Sequence, residues 1–250
     1  MIDGTMVIDF HGHTGGNESN GMNDDPELMI RTLDAANVDR ACIFNCFHPT
    51  GRPGNDLTAS FVAKYPDRFI GFGFVSPLLS AEEIRDELTR CFDELGFIGI
   101  KVYSNYYPWG YDDPHYYPIY EFADERNAPL IFHSSIEPLS RPVMLANVAP
   151  MFPNAYFVAG HSGNMPAPRT EAIAGAQAYP NYYLETCSTY RTPGIIEELV
   201  AGAGADRILY GSDQPLMDPR PQIGKILTAD ITDEAKRLII GDNARRLLKI

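Results

Sequence analysis

The stretch Val7-Ile8-Asp9-Phe10-His11-Gly12-His13 is the first apolar run of the chain, and it ends in two histidines. Side chains alternate along a β-strand, so residues two positions apart project from the same face. Two imidazoles on one face are half of a tetrahedral metal site. The pattern therefore predicts a strand with a metal-binding pair at its end.

Three later apolar runs also end in a possible metal ligand: His133, His161 and Asp213. Each of these residues lies at the C-terminal end of its run, and chance rarely produces that arrangement. In barrels built from parallel strands, the reactive groups lie at the C-terminal ends of the strands. The sequence therefore predicts a buried metal centre at the mouth of a barrel.

Eight short apolar runs alternate with segments that carry helix signals. The runs cover residues 6–12, 40–46, 69–76, 97–103, 129–134, 155–161, 181–187 and 207–212. Asp25-Pro26 is typical of a helix cap, and Ser80-Ala81-Glu82-Glu83 has the pattern of a capping box. Strands that alternate with helices indicate a parallel sheet. Eight such units predict an α/β fold of the metal-dependent hydrolase type, a single (β/α)8 TIM barrel that forms one domain over residues 1–250.

The composition indicates a protein that acts on a small molecule. The chain has 20 basic and 33 acidic residues, a net charge of −13, so its surface repels nucleic acid and anionic lipid. We therefore expect neither nucleic acid nor a membrane as a partner. No run approaches membrane-spanning length and no leader-like segment begins the chain, which predicts a cytoplasmic protein. We expect a homodimer, and we interpret the four cysteines as small buried thiols.

The strand ends supply enough ligands for one metal ion. In a closed barrel the first and last strands are neighbours, so Asp213 can reach a metal held by His11 and His13. His133 then approaches from the opposite side. Three imidazoles and one carboxylate leave a position for water on Zn²⁺ or a similar ion, which lowers the pKa of that water to about 7. Asp9, on the same strand face, is a candidate to orient a ligand imidazole.

The order of these residues along the strands resembles that of the amidohydrolase superfamily, and the local sequence resembles its amidohydrolase-2 branch. The similarity covers nearly the whole chain and is clearest in four stretches: Phe132-His133, Gly160-His161-Ser162-Gly163, Tyr210-Gly211-Ser212-Asp213-Gln214-Pro215 and Gly241-Asp242-Asn243-Ala244-Arg245-Arg246-Leu247-Leu248. The branch includes aminocarboxymuconate-semialdehyde decarboxylases, related aromatic decarboxylases, lactonases and hydratases. The resemblance thus implies a metal-dependent enzyme.

The resemblance also implies roles for individual residues. The residues that match the metal ligands of the mononuclear members are His11, His13, His133 and Asp213. His161 matches a histidine that serves there as a base or polarising group and not as a ligand. Asp213 matches a residue that also takes a proton from metal-bound water. His161 and Asp213 are therefore the expected catalytic residues.

Lys101 bears on the number of metal ions. It lies near the end of the fourth run, where binuclear members of the superfamily carry a carbamylated lysine that bridges two metals. If Lys101 is carbamylated, it is a ligand, and His161 becomes a ligand of the second metal. If it is a plain lysine, it pairs with an acidic neighbour or with a substrate carboxylate. We favour the plain lysine and one divalent ion, Zn²⁺, with Mn²⁺ as the alternative.

Loops on the predicted catalytic side supply candidates for substrate binding. The loop after the fourth run is rich in aromatic residues, and Tyr103 and Trp109 are candidates to wall a pocket, although rings that pack over the barrel would look the same. Arginines that could grip a substrate carboxylate follow several runs: Arg52, Arg141, Arg169, Arg191 and Arg220. We select Arg52 among them. Glu185, near the end of the seventh run, is a further polar candidate to orient substrate.

The reaction predicted from these residues is hydrolysis of an ester, lactone or amide bond of a small substrate by metal-bound hydroxide. The alternative is a non-oxidative decarboxylase of a small unsaturated or aromatic carboxylic acid. A TatD-type deoxyribonuclease also begins with His-x-His, but the net negative charge and the local sequences Ile-Lys-Val and Gly-Ser-Asp disfavour it. A non-enzymatic metal-binding module would need a site closed to solvent.

Overall fold

The computed structural model describes residues 2, 4–16, 22–188 and 193–250. Within these ranges, eight parallel strands form one sheet in chain order. The strands are β1 (Ile8–His13), β2 (Arg40–Phe44), β3 (Phe69–Phe74), β4 (Gly99–Val102), β5 (Pro129–His133), β6 (Tyr156–Gly160), β7 (Tyr182–Glu185) and β8 (Ile208–Leu209). Each overlaps one of the eight predicted runs, and the predicted (β/α)8 barrel is confirmed.

Helices follow each of the strands, and α1 and α3 begin where the sequence places capping residues. In the described ranges they are α1 (Pro26–Ala35), α2 (Arg52–Lys64), α3 (Ala81–Asp93), α4 (Tyr117–Arg126), α5 (Pro142–Val148), α6 (Pro166–Ala178), α7 (Ile195–Ala203), α8 (Pro219–Leu227), α9 (Asp233–Arg237) and α10 (Asn243–Leu248). The Asp25 side chain accepts from the backbone of Glu27 at the start of α1. Ser80 and Glu83 form the predicted capping box of α3.

Backbone hydrogen bonds between β1 and the segment around β8 close the barrel. Phe10 N donates to Tyr210 O at 2.8 Å, and Asp213 N donates to His11 O, also at 2.8 Å. Gly12 and Gln214 form a parallel bridge one step further along. The closure brings the C-terminal end of β1 beside the residues that follow β8, as the metal-site prediction requires.

Both faces of the sheet are buried, as is usual for parallel sheets covered by helices. Side chains such as Phe10, Phe44 and Phe72 fill the barrel interior beneath the mouth. An outer layer that includes Leu130 and Leu184 packs the strands against the helices. The helices of the described ranges include none that is long and apolar enough to cross a membrane.

Candidate metal centre

His11 and His13 lie side by side at the C-terminal end of β1. Both side chains are buried, and their ring centroids are 5.2 Å apart. Both rings line one cavity at the mouth of the barrel. The strand therefore presents two imidazoles to one point, as the sequence predicted.

Asp213 follows β8, and its carboxylate contacts both of these histidines. Its Oδ1 lies 2.9 Å from Nε2 of His13 and 3.5 Å from Nε2 of His11. Asp213 has a φ of 67°, a left-handed conformation that is uncommon outside glycine, and its bond to the backbone oxygen of His11 holds it there. The three ligand atoms lie within 4.8 Å of one another. One divalent cation could bridge them.

The protonation states of these residues suit a cation. Burial lowers the pKa of His11 and of His13, so both imidazoles are neutral near pH 7 and keep a lone pair. Burial by itself would raise the pKa of Asp213, but the adjacent imidazoles hold that pKa well below its ordinary value. Metal ligands must be deprotonated, and a carboxylate with two neutral imidazoles meets that requirement.

His133 and His161 form a second pair, at the ends of β5 and β6. Nδ1 of His133 lies 3.0 Å from Nε2 of His161, and Nε2 of His133 lies 3.5 Å from Oε2 of Glu137. Both rings line the same cavity as the histidines of β1. His133 lies outside the three-atom cluster at β1 and β8, so its convergence on the same ion stays a prediction.

Lys101 places a buried amine in the same cavity. Its Nζ lies 3.4 Å from Nε2 of His11 and 4.6 Å from the centroid of the Phe44 ring. Burial lowers the pKa of this amine. In the described ranges Lys101 forms no ion pair with a carboxylate, and its role stays a prediction.

Glu185, at the end of β7, orients the imidazole of His11. Its Oε2 lies 3.0 Å from Nδ1 of His11, so the carboxylate fixes the ring with Nε2 turned toward Asp213. The role of Glu185 in orienting substrate stays a prediction. Asp9, which we expected to orient an imidazole, instead accepts from the backbone of His11 and of Ser212. The pairing of β1 shifts between Asp9 and Gly12, which breaks the side-chain alternation that the prediction assumed.

The cavity at the barrel mouth has a volume of about 160 Å³. Besides the four histidines, Lys101 and Asp213, its walls are formed by Cys46, Phe47, Tyr103, Asn164, Ser188 and Leu216. Tyr103 thus lies where the sequence predicted a substrate wall, with its ring centroid 5.2 Å from that of His133. Sequence reasoning missed Phe47, Asn164, Ser188 and Leu216, because loops after strands carry no periodic signal.

Arg52 and Trp109 do not line this cavity. Arg52 opens α2 with its side chain 61% exposed and pairs with Glu87 of α3 at 3.0 Å. Trp109 stacks on His115, with ring centroids 3.6 Å apart. Their predicted contact with substrate is not supported, since both side chains are engaged by neighbours in the helical layer and its loops. Arg191 lies outside the described residues.

The fold and the site invite comparison with known proteins, and a family model described as amidohydrolase matches residues 8–250. The chain belongs to the amidohydrolase family. This confirms the resemblance to the amidohydrolase-2 branch, and it confirms that the protein is an enzyme of that family.

Several similar proteins are decarboxylases. The chain is 26% identical to γ-resorcylate decarboxylase of Polaromonas sp. over 275 residues, which cover 90% of this chain and 83% of that enzyme. It is 39% identical over 121 residues to 2-amino-3-carboxymuconate-6-semialdehyde decarboxylase of Dictyostelium discoideum, covering 44% of this chain and 33% of the relative. A structure of 5-carboxyvanillate decarboxylase from Novosphingobium aromaticivorans, complexed with manganese, superposes with a TM-score of 0.77 at 19% identity, covering 99% of this chain and 97% of that one.

These relatives overturn the predicted reaction. We expected hydrolysis by metal-bound hydroxide, whereas the relatives that match 90% of the chain are decarboxylases, enzymes that release carbon dioxide from a carboxylic acid. The prediction was wrong because a metal ion held by histidines and an aspartate serves either chemistry. The ligands alone do not distinguish between attack by water and delivery of a proton.

Proposed function

We propose that the protein is a metal-dependent, non-oxidative decarboxylase of a small aromatic carboxylic acid. The observation that carries the proposal is a cluster of His11, His13 and Asp213 at the edge of a small cavity, in a chain that resembles γ-resorcylate decarboxylase over 90% of its length. A cavity of about 160 Å³ is small, which favours a single-ring acid over a larger substrate.

The residues present fit a divalent ion. His11, His13 and Asp213 would hold it, and the family resemblance adds His133 as the fourth ligand. We favour one ion and a plain Lys101. Imidazole ligands suit Zn²⁺ and carboxylates also suit Mn²⁺, the ion in the 5-carboxyvanillate decarboxylase structure. When bound, the ion supplies positive charge that attracts the oxygen atoms of an anionic substrate.

The chain's own residues would handle the proton and the carboxylate. Non-oxidative decarboxylation replaces a carboxylate by hydrogen, so a proton must reach the ring carbon as the bond to carbon dioxide breaks. We assign this proton transfer to His161, which lines the cavity: its Nε2 would take up a proton from solvent and pass it to the ring carbon. The Lys101 amine would donate a hydrogen bond to the substrate carboxylate, and the Tyr103 ring would pack beside the substrate ring.

The test is release of carbon dioxide by protein loaded with either Mn²⁺ or Zn²⁺. γ-Resorcylate and 5-carboxyvanillate are the first probes, and the decarboxylated phenol should appear in equal amount. His11→Ala should lose bound metal and activity together, whereas Arg52→Ala, a matched substitution outside the cavity, should keep both. Metal-loaded protein that releases no carbon dioxide from a panel of single-ring acids would contradict the proposal.

A further inference from the structure

Cys187 places a buried thiol between His161 and Glu185. It contacts histidines that line the cavity but does not line the cavity itself. Its Sγ lies 2.9 Å from Nδ1 of His161, 3.0 Å from Oε2 of Glu185 and 3.4 Å from Nδ1 of His11. The side chain is fully buried. A sulfur with three polar neighbours at these distances is a hydrogen-bonding group and not simply a filler of space.

The direction of each hydrogen bond follows from what each group can donate. Glu185 accepts through Oε2 from Nδ1 of His11 and from the backbone N–H of His161, and through Oε1 from the backbone of Cys187. A carboxylate has only acceptors to offer, and it is the strongest acceptor within reach of the thiol. The S–H proton of Cys187 therefore points at Glu185, and its sulfur lone pairs face Nδ1 of His161.

This direction fixes the tautomer of His161. Because the S–H of Cys187 donates its hydrogen bond to Glu185, the sulfur can only accept from His161. Nδ1 of His161 therefore carries the proton, and Nε2 keeps a lone pair. Nε2 lies 3.0 Å from Nδ1 of His133, so His133 must donate there. The three protons of Cys187, His161 and His133 then serve the three contacts of 2.9, 3.0 and 3.0 Å, and Nε2 of His133, which lies 3.5 Å from Oε2 of Glu137, keeps its lone pair.

We propose that Cys187 is a positioning residue for His161. Its sulfur holds the imidazole with the proton on Nδ1 and the lone pair on Nε2, next to Nδ1 of His133, and through that ring it sets the tautomer of His133. The inference rests on the proposed decarboxylase function for its kinetic consequence, but the tautomer itself is independent of the reaction.

The first measurement is the ¹⁵N spectrum of histidine-labelled protein loaded with diamagnetic Zn²⁺, with the His161 signals assigned by comparison with His161→Asn. We expect a protonated Nδ1 and an unprotonated Nε2 in the wild-type protein. Cys187→Ser should retain this pattern because a hydroxyl also donates and accepts, whereas Cys187→Ala should lose it. A wild-type His161 that carries its proton on Nε2 would overturn the proposal, whatever substrate the protein uses.

The second measurement separates positioning from packing. Cys187→Ala should lower kcat by about 10- to 100-fold, the usual cost of removing a group that orients a reactive imidazole, with KM and metal content unchanged. Cys187→Ser should recover most of this loss. Cys42→Ala is the matched control, because it removes a buried thiol from the barrel interior. An equal loss of kcat in the control, or the loss of one metal equivalent in Cys187→Ala, would contradict the positioning role.

Discussion

At the scale of single residues, Lys101 raises the sharpest electrostatic question. Its Nζ lies 3.4 Å from Nε2 of His11, the nitrogen that faces the proposed ion. An ammonium group there would repel a divalent cation, whereas a neutral amine or a negatively charged carbamate would not. Burial lowers the pKa of Lys101, which favours the neutral amine once an ion is bound.

Substitution of Lys101 distinguishes one metal from two. If the site is mononuclear, Lys101→Ala should keep about one equivalent of metal, because the ligands on β1, β5 and beyond β8 remain. Metal content of protein purified without chelator is the measurement. Lys64→Ala is the control, since Lys64 lies on α2 with its side chain 50% exposed and pairs with Glu27 away from the cavity. Two equivalents in the wild-type protein that fall to one in Lys101→Ala would instead show a bridging carbamate.

At the scale of elements, close contact between β5 and β6 sets the position of His161. Gly160 ends β6, directly before this histidine, and a Cβ added at Gly160 would lie 2.2 Å from the backbone oxygen of Phe132 in β5. The clash is with a backbone atom, so it cannot be relieved by the rotation of a side chain. The two strands would have to separate, and the histidines at their ends would separate with them.

Gly160→Ala should therefore be destabilising and should also weaken the site. We expect the free energy of unfolding, measured in urea, to fall by about 1–3 kcal/mol, the usual cost of overpacking a core. Gly224→Ala in α8 is the matched control, because a Cβ there meets nothing within 4 Å. That control should gain roughly 0.5–1 kcal/mol from better helix propensity. Equal effects of the two substitutions would refute the contact argument.

At the scale of the whole molecule, the buried imidazoles make stability depend on pH. Burial lowers the pKa of four histidines: His11, His13, His133 and His161. Below about pH 6.5 the histidines of the unfolded chain bind protons, whereas the buried rings of the folded protein stay neutral. The stability of the folded state therefore falls as the pH falls. Asp9 opposes this effect, because burial raises its pKa to about 7 and it keeps one proton in the folded state that the unfolded chain releases above its ordinary pKa of 3.8.

The imidazoles outnumber Asp9, so the metal-free protein should lose stability from pH 7 to pH 5. Each uncompensated proton contributes about 1.4 kcal/mol per pH unit below the unfolded pKa. Urea unfolding at pH 5, 6, 7 and 8 measures the slope. Asp9→Asn removes the opposing term, so its fall in stability between pH 7 and pH 5 should be steeper than that of the wild type. A wild-type profile that rises toward pH 5 would contradict the burial of neutral imidazoles.

The barrel and the identity of its strand-end residues could be predicted from the sequence alone. Alternating runs and caps report local preferences, and eight of them in series leave few alternatives to a closed parallel barrel. His11, His13 and Asp213 were found for the same reason, since parallel strands bring their C-terminal ends together at one mouth. Both features depend only on the order of the strands and on the residue at the end of each one, and the sequence gives both.

Only the tertiary structure decided which side chains contact and orient the imidazole of His11. Glu185 and Cys187 lie more than 170 positions from His11, so no spacing could reveal that they contact its ring. The register shift in β1 removed Asp9 from that role, and a salt bridge between neighbouring helices drew Arg52 away from the cavity. Hydrogen bonds and ion pairs are satisfied by whichever partner the packing brings within reach, and that choice is made in three dimensions.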